Sequence, residues 1–211
     1  MFEQYDIENK LLKKYGWWYF PDFPNDLMLE IMIAPTLNST ETINTKICEY
    51  YTTNNFEKLD ALAAKWITME YFSRRAIDLY ELNIIYKNEL YNAAITISMT
   101  IIEGILRDFI SKKQEAYYQF KTVRKSLKDI VNLCDDFFND ELDIISHVIQ
   151  LINDIYDGNF SPANPDEYSD LLRDKRMHGQ AYGKQTKTDS LKMILLIDEL
   201  FYILSVIDEA E

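Results

Sequence analysis

Glycine and proline are scarce in this chain, five of each in 211 residues, and that scarcity favours helices over a turn-rich β fold. Cysteine is scarcer still. Cys48 and Cys134 lie far apart with no metal-ligand spacing, which points to a reduced, cytoplasmic setting and gives no reason to expect a metal or other cofactor. Positive charge is also in deficit: 22 Lys and Arg stand against 35 Asp and Glu, for a formal net charge of −13. That balance counts against broad, sequence-blind binding to nucleic acid, which draws most of its affinity from neutralised phosphates. It leaves room for a local basic cleft, on a protein that acts on a restricted RNA or meets a basic partner. The longest apolar stretches are interrupted by charge, as at Asp198 and Glu199, so no membrane span is expected. Residues 1–6 lack the basic start and apolar run of a signal peptide.

What is present is helical periodicity. Phe2, Tyr5, Ile7, Leu11, Leu12 and Tyr15 suit a short amphipathic helix. An aromatic segment follows over 16–24, where Pro21 and Pro24 oppose regular helix. Exposed, its rings would stack bases; buried, they would plug a groove between helices. Leu27 to Ile33 reads as a short helix, and Ser39 or Thr40 caps another to about Tyr51, with Asn54 and Asn55 breaking the pattern. Residues 56–87 read as one long helix or two joined near Thr68, with Arg74 and Arg75 as a solvated pair and Asn88 marking the turn. Leu90 to about Lys113 is the central helix, apolar on two sides and so packed on two sides. Along it Asn92, Thr96, Thr100, Glu103 and Arg107 make one polar line, either a wet face or the wall of a cleft. Lys112, Lys113, Lys121, Arg124, Lys125 and Lys128 form the local basic cluster, a solvated face or a track for an RNA backbone. Helices are further expected over about 120–137 and 140–156, with His147 in ordinary packing or on the surface. A final helix, capped by Thr188 or Asp189, runs to about Asp208 with apolar surface enough for a dimer face.

The most informative stretch is 164–180. Asn164 suits an N-cap, Pro165 the first helical position, and Glu167 completes a capping box. Lys175, Arg176 and His178 oppose the negative end of the helix dipole, and Gly179 suits the left-handed stop. Within it lies Arg173-Asp174-Lys175-Arg176-Met177-His178. This run, with the upstream helix through Glu103 to Arg107 and the apolar helix after Gly179, resembles the HEPN superfamily, whose signature is R-x4-6-H with a polar residue after the Arg. The resemblance covers roughly residues 60–211. It implies an all-α, up-and-down helical bundle over 59–211, with residues 1–58 as a helical and aromatic N-terminal extension. It also implies a homodimer that cleaves RNA without metal, each subunit giving one Arg–His pair to a shared cleft, in the manner of a toxin or defence effector with an antitoxin or regulatory protein as partner.

The residues fit that chemistry. Positions five apart on an ideal helix point about 140° away from each other, so Arg173 and His178 converge on one phosphate through a second copy or through irregularity at the helix end. Asp174 and His178, four apart, share a face where the carboxylate fixes the imidazole tautomer. His178 would take the 2′-hydroxyl proton and Arg173 would hold the phosphate oxygens. Glu103 would orient either of them. Lys175, Arg176, Arg107, Tyr182 and Lys184 are the candidates for holding the RNA, with Lys187 beside them. The same stretch also fits a plain helix end, with the His as a dipole partner and the Arg in a solvated pair. On that alternative the chain is a catalytically silent dimer that binds or regulates.

Overall fold

A computed structural model describes residues 8, 10–18, 23–33, 39–114, 139–156, 176, 183 and 185–209. Every regular element among them is an α-helix, so the fold is all-α. The chain divides into two compact units, Met1–Ala64 and Lys65–Glu211.

In the first unit, residues 10–14 are helical and end at Gly16, whose φ of 74° is the left-handed conformation that a residue without Cβ adopts freely. The Trp17 amide donates to the Leu12 carbonyl and the Gly16 amide to that of Lys13, a Schellman closure. Helix α1 (Asn25–Ile33) buries Leu27, Met28 and Ile31. Helix α2 (Thr40–Trp66) starts where the Ser39 hydroxyl accepts the Thr42 amide at 3.1 Å. Glu30 and Lys46 join α1 to α2 at 2.9 Å. Burial holds the Tyr50 hydroxyl of α2 above its ordinary pKa, and the charge of Asp26 adds to the effect.

The break expected at Asn54 and Asn55 is sharper than a turn. Asn54, Asn55 and Phe56 are left-handed in succession, with φ of 50°, 56° and 66°, and α2 resumes beyond them. Asn tolerates that region because its short amide bonds locally; Phe has no such compensation. The Lys58 ammonium, 3.3 Å from the centre of the Tyr50 ring, bridges the break.

The second unit opens with Lys65 and Trp66 at the end of α2, then α3 (Glu70–Ser73), α4 (Ala76–Lys87), α5 (Tyr91–Gln114), α6 (Asn139–Tyr156) and α7 (Lys187–Glu209). The segment read as one or two helices over 56–87 is therefore three pieces, with α3 a single turn between breaks at 67–69 and 74–75. Helix α4 closes on another Schellman motif: Leu90 donates to Ile85 and Glu89 to Tyr86, with Glu89 left-handed at φ 60°. Helix α5 packs against α3, α4 and α7, and α7 also against α6. Tyr71 meets Phe109 edge-on at 5.4 Å, and Phe72 meets Phe201 at 5.3 Å, which fixes α3 between α5 and α7.

Helix α7 corrects one expectation. Its cap is Thr186, whose hydroxyl accepts the Asp189 amide while Asp189 accepts the Thr186 amide, a capping box two or three residues ahead of the caps read from sequence. Most of its apolar side chains are covered within the chain, while Phe201, Tyr202 and Val206 stay partly exposed. Leu191, Ile194, Leu195, Ile197, Leu200 and Leu204 are all buried within the chain, each contributing about 1.5–3 kcal/mol. The helix packs against α5 and α6, which cover much of its apolar surface.

Candidate functional site

Of the residues nominated from sequence, Arg173, Asp174, Lys175, His178, Tyr182 and Lys184 lie outside the described residues, as do Lys121, Arg124, Lys125 and Lys128 of the basic cluster. Glu103, Arg107 and Arg176 are described. Arg176 is helical and partly buried, on the motif stretch.

The polar line on α5 changes character along its length. At its start Asn92 is exposed, and the Thr96 and Thr100 hydroxyls donate back to the Asn92 and Thr96 carbonyls at 3.0 and 3.1 Å. Those threonines satisfy themselves on their own helix. One turn on, Arg107 donates to the Glu103 carboxylate in an i,i+4 ion pair that is largely shielded from solvent. Glu103 is thus engaged by a cation on its own helix, and the pair presents a fixed carboxylate–guanidinium unit on the central element of the second unit.

The adjoining face of the same turn holds a second pair that the sequence did not reveal. Arg75, at the start of α4, donates through one Nη to the Tyr71 carbonyl at 2.9 Å and to Asp108 at 2.7 Å. Only Arg74 of the supposed solvated pair is exposed. Gly104 makes the crossing possible: a Cβ there would lie 2.5 Å from Arg75 Nε. A lone glycine inside an otherwise strong helical pattern was the available signal, since it often marks close approach by another group.

Farther along α5, Lys112 meets Glu70 at 2.9 Å, and Arg74 meets the same carboxylate. The hydrogen bond and charge of Lys112, with the charge of Arg74, hold the Glu70 carboxyl below its ordinary pKa; Glu70 in turn raises that of Lys112. Lys112, the described side chain of the basic cluster, is therefore already neutralised by an acid. The turns of α5 from Glu103 to Lys112 carry a ladder of ion pairs, with acids and bases nearly balanced.

Asp198 on α7 is the other residue that periodicity missed. Its Oδ1 accepts from Trp66 Nε1 at 2.7 Å and from Lys65 Nζ at 3.1 Å. What reads in the sequence as a charge interrupting an apolar run is an internal acceptor. In the aromatic segment, Trp17 and Phe23 are buried, and Trp17 Nε1 donates to Asn44 at 2.7 Å. Neither ring offers a face to a base. Among the described residues, no three of His, Cys, Asp and Glu gather as metal ligands, and no helix is long and apolar enough to cross a membrane.

The chain matches no protein-family model, no curated protein and no solved structure.

Proposed function

We propose that the chain is a HEPN-type endoribonuclease, built as a dimer and working without metal. The observation that carries this reading is the spacing of Arg173, Asp174 and His178 within one stretch that bears helix-capping residues at both ends. An all-α unit with a central helix packed on two sides agrees with it. In the reaction, His178 accepts the proton of a ribose 2′-hydroxyl as that oxygen attacks the adjacent phosphorus. The bond from phosphorus to the 5′ oxygen breaks, and the leaving oxygen takes a proton from the protonated His178 of the second copy. Arg173 holds the non-bridging oxygens as charge builds on them. Asp174 fixes the imidazole tautomer. Lys175, Arg176, Tyr182 and Lys184 flank the strand, and the Glu103–Arg107 pair stiffens α5. The product is a 2′,3′-cyclic phosphate, and DNA, which lacks the nucleophile, is inert. Such an enzyme would act in the cytoplasm as a toxin or defence effector, restrained by an antitoxin or other regulatory protein.

The test is end-labelled RNA incubated with purified protein in EDTA. Cleavage that survives the chelator, leaves a cyclic phosphate and disappears in His178→Ala and Arg173→Ala supports the reading. A second reading draws on the net charge of −13 and on the neutralisation of Lys112 by Glu70: a catalytically silent module that binds or regulates a partner. An ordered dimer that cleaves none of the RNAs tried would favour it.

A further inference from the structure

Helix α4 has an outer side unlike that of an ordinary surface helix. Leu79, Leu82 and Tyr86 are buried, as expected for the inner stripe. On the other side Ile77, Tyr80 and Ile84, at spacings of three and four, are 76%, 68% and 41% exposed, and Leu90 just past the helix is 56% exposed. A helix packed on one side normally carries polar residues there.

We propose that this stripe is the two-fold interface between two copies of the chain. The inference rests on the dimeric nuclease reading only for its functional consequence, that the twin brings the second Arg–His pair. Three observations commit it to a second copy. Read from either end, the stripe is Ile–Tyr–Ile, so an antiparallel copy sets Ile77 opposite the second copy's Ile84 and lays the two Tyr80 rings side by side. A two-fold interface demands that kind of self-complementarity, because the same patch serves on both subunits. The area is adequate: at about 200 Å² per large side chain, these exposures leave on the order of 500 Å² open, against roughly 800 Å² per partner in a standard interface. Glu81, Lys87 and Asn88 at its edges supply the polar rim that makes up the remainder. Finally, α7, another apolar-rich helix of the unit, has most of its apolar side chains buried within its own chain.

Sedimentation velocity over a range of protein concentrations tests the proposal. Wild-type protein sediments as a dimer, and Ile77→Asp with Ile84→Asp raises the dissociation constant by at least about 30-fold, the effect of losing a central anchor. Both positions are solvent-exposed, so the circular dichroism of the variant stays that of the wild type. As a second measurement, Tyr80→Cys in a Cys48→Ala, Cys134→Ala background joins two chains through a short bismaleimide, whereas Thr100→Cys on the outer face of α5 does not. A monomeric wild type, a doubly substituted variant as tightly dimeric as the wild type, or absence of the Tyr80 cross-link overturns the proposal. Its fate separates from that of the nuclease reading. His178→Ala stays dimeric while losing cleavage, a wild type that cleaves no RNA leaves the interface to be decided by sedimentation, and an active dimer indifferent to the stripe removes the interface alone.

Discussion

Two carboxylates in the second unit reach cations distant in sequence, and their surroundings are opposite. Asp198 on α7 meets Lys65 with its side chain 3% exposed, whereas Glu70 on α3 meets Lys112 with its side chain 49% exposed. The distances, 3.1 and 2.9 Å, would rank the outer pair as the closer one. Burial reverses the ranking. In water a carboxylate and an ammonium gain little by meeting, since each gives up good hydration and some side-chain freedom. Inside, nothing replaces a missing partner, so the cost appears when one is removed. Asp198 also accepts the Trp66 indole, a buried N–H that no water would serve. A contact's length therefore says less than what remains if it is lost.

The largest effect should come from Asp198. Replacing it with Ala strands the Trp66 N–H and removes a charge-assisted bond to Lys65, and should cost about 2–4 kcal/mol in urea unfolding followed by tryptophan fluorescence. Asp198→Asn keeps an acceptor for Trp66 and should lose less than half as much. Equal losses in the two variants would break the comparison, because they would place the whole contribution in the Lys65 charge rather than in the satisfaction of the indole.

Between these extremes lies Arg75 with Asp108, partly buried over Gly104. Ala normally stabilises a helix interior by about 1 kcal/mol relative to Gly. Here the added methyl displaces the guanidinium, so Gly104→Ala alone should give no gain or a small loss. In an Arg75→Ala background, where nothing is displaced, the same substitution should recover the full increment. A double-mutant cycle by thermal unfolding measures the difference directly. Additive effects would mean that Arg75 moves aside without losing Asp108.

These cases also mark what the sequence made legible. Helices α1, α5, α6 and α7 follow from apolar periodicity, which marks each of them without reference to a distant partner. The break after Thr53 was visible in two asparagines, although the left-handed Phe56 was not, since no local preference favours it. The buried roles of Asp198 and Arg75 escaped for a different reason. Whether a charge is solvated depends on partners 133 and 33 positions away, which periodicity does not see. The same holds for α7, whose apolar residues signalled burial but not whether its own chain or a twin would cover them. For the candidate site, the ion pair of Glu103 with Arg107 follows the i,i+4 spacing already present in the line of polar residues. Within the Arg173–His178 stretch Arg176 alone is described, so the Arg–His pair stands on its spacing and capping residues.

The smallest effect belongs to Glu70 and Lys112, and its pH dependence has a definite form. The Glu70 carboxyl sits below its ordinary range, first through the hydrogen bond from Lys112 and then through the charges of Lys112 and Arg74. What it contributes is present above the ordinary carboxyl range and fades as pH falls through its lowered value. Lys112 is raised, chiefly by its bond to Glu70, so its share is present below the ordinary lysine value and fades as pH rises through the raised one. The pair acts across a plateau centred on neutral pH. Lys112→Ala should lower the melting temperature by a degree or so at most at neutral pH and low salt, with the difference vanishing in acid and shrinking as salt is added. A melting difference that persisted in acid would show that Lys112 acts instead through the Tyr71 ring, whose centre lies 5.2 Å from its ammonium.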